Sequence, residues 1–128
     1  MPNMPAGYRH FHDELALLKQ RLLDMSERAE SLVALSVEAL LERDRDKAIA
    51  VIEADEELDR LEVEAENQAI AMLALQQPMA RDLRFLIGAI KVSSDLERVG
   101  DHAVKHVHIP VMCARPVFDF ILDKLKTW

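Results

Sequence analysis

Two pairs of acids carry the clearest chemical signal in this chain. Asp55 and Asp59 stand four residues apart, and so do Glu97 and Asp101. On a helix that spacing is little more than one turn, so each pair presents both carboxylates on one face. Carboxylates gathered in a half-buried place raise one another's pKa, and a cation is the simplest compensation. Ligand sets made of oxygen alone favour magnesium, calcium, manganese or iron over zinc, which usually takes His or Cys.

His102 and His106 make a second constellation, again four residues apart. Two histidines so placed can hold zinc, but the HExxH context that would supply a base and define a third ligand is absent. At about 100° per residue, both fall roughly 140° to 180° from Glu97, together with Asp95, so they sit on the opposite side of their helix and read as a solvated face. His108 lies back towards Glu97 by angle, and His10 and His12 carry no motif.

Other chemistries find no support. No Glu stands three residues before any of the five histidines, so the Glu-x-x-His pattern of carboxylate-bridged di-iron bundles is missing. A glycine-rich phosphate loop, G-x-S-x-G and Cys-x-x-Cys are missing as well. A metal-dependent hydrolase needs a general base and an open coordination position, and the chain offers no candidate beyond the acids themselves. An enzyme is not expected. The lone Cys113 reads as an incidental thiol, and Met25 and Met72 as core fillers.

The elements that must position these acids are helices. In 128 residues, half of them apolar, there are three glycines and five prolines, and residues 8 to 77 contain no proline. Leu15, Leu18, Leu22, Met25, Ala29, Leu32, Ser36 and Ala39 recur at three and four spacings, which predicts a first helix from about Tyr8 to Arg43, on the order of 50 Å long. The charged segment ERDRD, residues 42 to 46, interrupts that rhythm, and Asp44 or Asp46 can cap a second helix running to about Leu75. Pro78 suits the first turn of a third helix, which Pro110 should end by disfavouring helix at Ile109. Three long helices joined by short turns must alternate in direction. The expected fold is all-α, an up-down-up three-helix bundle over residues 1–109, followed by a divergent tail over residues 110–128. A short helix after Pro116, with Val117, Phe118, Ile121, Leu122 and Leu125 at helical spacing, would give that tail an oligomer contact.

On these helices the acids border the core. Leu86, Ile90, Asp101 and Val104 fall within about 40° of Glu97, and Asp59, Glu62 and Glu66 within about 40° of Asp55. Asp59 and Glu97 are equally distant from Pro78 along the chain, as are Asp55 and Asp101, so the two pairs should stand at one height on antiparallel neighbours. Two readings of this strip stand side by side at this point. The acids hold a cation, or Arg60, Arg98 and Lys91 neutralise them as ordinary ion pairs.

Charge and composition bound the partners. Sixteen basic residues against 23 acidic ones give a net charge of −7, which repels a nucleic-acid backbone. The apolar run FLIGAI is far short of the roughly 20 residues that span a bilayer, MPNMPAGYRHF lacks an apolar signal core, and one cysteine forms no internal disulfide. A cytoplasmic location is expected.

The runs VIEADEELDRLE, QQPMARDLRFL and DLERVGDHA, in that order, resemble the PhoU family of phosphate-uptake regulators over roughly residues 10 to 105. The resemblance implies long-helix three-helix bundles, normally two in tandem, and metal clusters, with iron, manganese or zinc among the candidates beside the magnesium that oxygen ligands also suit, held by E(D)-x-x-x-D pairs. Carried onto this chain, those pairs are Asp55 with Asp59 and Glu97 with Asp101. It also implies an adaptor between a phosphate ABC transporter ATPase and a membrane sensor kinase, restraining phosphate uptake and phosphate-starvation signalling and peripheral to the membrane only through those partners. This chain has one ERVGD and length for one bundle, and after Lys105 the run HVHIPVMCARP departs from the pattern. A single bundle that lacks its tandem partner should expose an apolar flank and form a homodimer or higher homo-oligomer. The competing expectation is a metal-free helical interaction module whose acidic strip meets a basic partner.

Overall fold

The computed structural model describes residues 6–108 together with Lys124 and Lys126. Three helices run in sequence, α1 (Ala6–Glu42), α2 (Arg45–Gln76) and α3 (Ala80–Val107), and each packs against the other two. The tail beyond His108, with its expected helix and Cys113, lies outside the described residues.

Both turns are set by local chemistry. At the end of α1, Arg43 takes a left-handed conformation (φ 56°), and the Asp44 N–H reaches back to the Ala39 carbonyl at 3.1 Å, which satisfies a carbonyl the helix end would orphan. Asp44 then begins α2 in an extended conformation, its side chain accepting from the Lys47 N–H at 3.1 Å. Of the two expected caps, Asp44 is the one used.

Pro78 plays a different part from the one expected. It lies outside α3, which starts at Ala80 with Met79 as its extended N-cap. A proline disfavours right-handed helix in the residue before it, and Gln77 instead adopts the left-handed region (φ 44°) that closes α2. Pro78 therefore ends one helix, and the next begins two residues later.

The interior divides into two apolar clusters. The larger gathers Phe11, Leu15, Leu18 and Met25 of α1, Leu58, Ala65 and Met72 of α2, and Leu86 and Ala89 of α3. The smaller, near the α1–α2 turn, contains Leu32, Ala39, Ala48, Val51, Ala103 and Val107. Along α2, Asp55 stands between Val51 of one cluster and Leu58 of the other. Polar groups in the interior are mostly satisfied within their own helices: Ser36 Oγ donates to the Val33 carbonyl at 2.7 Å and Ser93 Oγ to the Ile90 carbonyl at 2.9 Å. Gln68 instead links two helices, its Nε2 donating to the Glu14 carbonyl at 3.1 Å. Among the described residues no helix is long and apolar enough to cross a membrane.

Candidate metal centre on the α2–α3 face

Antiparallel α2 and α3 bring carboxylates from the two helices together. Asp59, Glu62 and Glu97 each offer an oxygen, and the three oxygens lie within 4.8 Å of one another. Asp59 and Glu97 are thus joined as their equal distance from Pro78 predicts. Glu62 completes the trio in place of Asp55 or Asp101.

The two remaining expected ligands have distinct surroundings. Asp55 is nine-tenths buried, at 9% exposure, and its charge acts on the same group, since the Asp59 and Asp101 carboxylates both raise its pKa. Asp101 is 46% exposed along its side chain and pairs with Lys105 Nζ at 3.0 Å, an i, i+4 ion pair that its position on the strip did not reveal. Glu62 had been within reach of sequence reasoning, because the helical angle places it on the same strip as Asp55 and Asp59. It follows Asp59 by three residues and so stands outside the four-residue pairs.

The electrostatics mark a place that lacks positive charge. Burial raises Glu97 to about 7, helped by the hydrogen bond and charge of Asp59 and by the charges of Glu62 and Asp101. Asp55 is raised to about 6, first by burial and then by the carboxylates of Asp59, Asp101 and Glu56. Glu62 is raised by burial and by Glu66 and Asp59. Two of the three cations expected to neutralise the strip are engaged elsewhere: Arg60 pairs with Glu57 and Glu64, and Arg98 with Asp95 at 3.5 Å.

Two carboxylate oxygens at this face are buried without any hydrogen-bond partner, Asp55 Oδ1 and Asp59 Oδ1. The other such side-chain atom among the described residues is Gln68 Oε1, in the α1–α2 interior. A buried acceptor left unpaired costs roughly 1–3 kcal/mol, and more when charged. One of the two belongs to Asp59, a member of the trio, and the other to neighbouring Asp55; a hard divalent cation, which supplies the missing positive charge and takes oxygen ligands at about 2.0–2.6 Å, fits such a set.

The histidines take no part. His102 and His106 are exposed, and the His106 Nδ1–H donates to the His102 carbonyl at 2.7 Å. His10 pairs with Glu14 at 2.8 Å on α1.

Comparison with known proteins gives the family. The PhoU domain profile matches residues 22–109, which include both acid-bearing helices. The chain belongs to the PhoU family. Among its relatives, the phosphate-specific transport system accessory protein PhoU homolog of Caulobacter vibrioides (strain NA1000 / CB15N) is 44% identical over 95 residues, 74% of this chain and 41% of the relative. The PhoU homolog of Rhizobium meliloti (strain 1021), described in the same words, is 45% identical over 91 residues, 71% of this chain and 38% of the relative. That of Clostridium acetobutylicum is 40% identical over 95 residues, 73% of this chain and 43% of the relative. The chain thus spans about two-fifths of the length of these curated PhoU relatives, in keeping with one three-helix repeat.

Proposed function

We propose that this PhoU-family chain is a metal-binding regulatory adaptor of phosphate transport and phosphate-starvation signalling, and that it acts without catalysing a reaction of its own. Asp59, Glu62 and Glu97 supply the primary oxygens for a hard cation, Asp55 a buried fourth, and Asp101 a peripheral one that must leave Lys105 to take part. Iron, manganese and magnesium suit an all-oxygen set better than zinc does. The bound ion neutralises the face, and the partners, by family likeness a phosphate ABC transporter ATPase and a membrane sensor kinase in the cytoplasm, dock on the bundle.

The observation that carries this reading is the convergence of three carboxylate oxygens from α2 and α3, with buried oxygens of Asp55 and Asp59 left without partners. Elemental analysis of the purified chain beside a variant with Asp59→Asn, Glu62→Gln and Glu97→Gln tests it. Retained metal in the wild type and its loss in the variant are expected; equal metal in both sinks the site. The alternative is a metal-free helical interaction module, whose acidic strip instead meets a basic partner surface. It predicts partner binding that weakens with salt and ignores a chelator, whereas the adaptor loses its partner when the chelator is added.

A further inference from the structure

Gly100 lies in the turn of α3 between Glu97 and Asp101 and is buried. The chain has three glycines, and two of them, Gly7 and Gly88, could each carry a methyl group that meets nothing within 4 Å. Gly100 is different. A Cβ there would stand 2.6 Å from Asp55 Oδ1 and 2.8 Å from Leu58 Cδ2, both on α2. Both contacts are side-chain ends held in place: Leu58 is fully buried in the larger apolar cluster, and Asp55 is nine-tenths buried with its Oδ1 already against α3 and without a partner. Ala is a better helix former than Gly, so a glycine in mid-helix calls for a reason in packing.

We infer that Gly100 is the positioning residue of the carboxylate face: by carrying no side chain, it admits the Asp55 carboxylate into the α2–α3 seam and so decides whether that acid can serve the cluster. A residue with a Cβ at this position expels the Asp55 carboxylate and leaves the trio of Asp59, Glu62 and Glu97 without its buried neighbour. The tighter of the two contacts is with Asp55 Oδ1, so a small residue at position 55 opens most of the space a side chain at position 100 needs, and Leu58 Cδ2 must give by a few tenths of an ångström. The metal-binding consequence rests on the proposed function, while the steric pairing does not.

The test is a double-mutant cycle of G100A, D55A and D55A/G100A, with G88A as the control on the same helix. Unfolding is followed in EDTA, and manganese(II) affinity by titration of the metal-free proteins. In EDTA, G100A should unfold at lower urea than wild type, whereas G88A is unchanged or more stable. Adding D55A to G100A should recover a large part of the lost stability, because the alanine at position 55 removes the tighter of the two contacts the new methyl makes. Should G100A fail to fold at all, recovery of a folded D55A/G100A protein is the expected result. With manganese(II), G100A and D55A should each weaken binding about tenfold, and the double variant no further than D55A alone. The pairing is overturned if G100A is as stable as wild type in EDTA, or if D55A leaves the G100A defect uncorrected. Its role towards the cluster is overturned if G100A binds manganese(II) as wild type does or if the two losses multiply. A wild type that binds no manganese(II) refutes the proposed metal site, and the EDTA cycle still decides the pairing.

Discussion

At the scale of single residues, the face is a stock of carboxylates that hold protons in the absence of a cation. Glu97 titrates at about 7 against an ordinary 4.5, and Asp55 at about 6 against 3.8. Between those limits the folded chain binds more protons than the unfolded one, so this contribution to stability is complete below about pH 4 and is lost as pH rises towards 7. Glu97→Gln keeps the shape and removes the charge. Its stability advantage over the metal-free wild type should therefore grow from pH 5 to pH 7.5, reaching on the order of 1 kcal/mol once solvent screening is allowed for. Urea unfolding at the two pH values checks this, and an advantage that does not vary with pH would contradict it. The same substitution should cost at least tenfold in manganese(II) affinity, about 1.4 kcal/mol, so stability and binding move in opposite directions. Spacing and height made Asp55, Asp59, Glu97 and Asp101 legible in the sequence. Glu62 was legible as a member of the same strip, but which oxygens converge was not, because that depends on side-chain direction across the helix pair.

At the scale of elements, apolar periodicity and the scarcity of Gly and Pro made all three helices readable, with ends within about two residues of those observed. The α2–α3 turn was read less well. Pro78 has two common roles, opening a helix and barring the residue before it from helix, and the second prevails here because Gln77 can turn left-handed. That conformation strains a residue with a Cβ by roughly 1–2 kcal/mol, and exposed Gln77 has no packing to lose. Gln77→Gly should therefore stabilise the bundle by up to about 1 kcal/mol, seen as a raised urea midpoint at unchanged slope. A lowered midpoint would show that the turn tolerates its backbone without strain.

At the scale of the whole molecule, one bundle carries an acidic face on α2 and α3 and large hydrophobics exposed on its surface. Leu23, Val37 and Leu41 share one side of α1 within about 40° of one another and are each about half exposed. A single bundle with such a flank should self-associate, and light scattering at micromolar concentration should return a mass at least twice 14.6 kDa; a monodisperse species of 14.6 kDa would contradict that. The amphipathic pattern of the tail, readable from Val117 to Leu125, lies outside the described residues. The account as a whole turns on whether the carboxylate face holds a cation. Titration of the metal-free chain with manganese(II), followed by the loss of the free ion's electron paramagnetic resonance signal, measures this directly. Saturable uptake by the wild type, weakened at least tenfold by Asp59→Asn, Glu62→Gln and Glu97→Gln together and declining as pH falls from 7 to 5, is the predicted result. Uptake that is absent, or the same in wild type and variant, would contradict it.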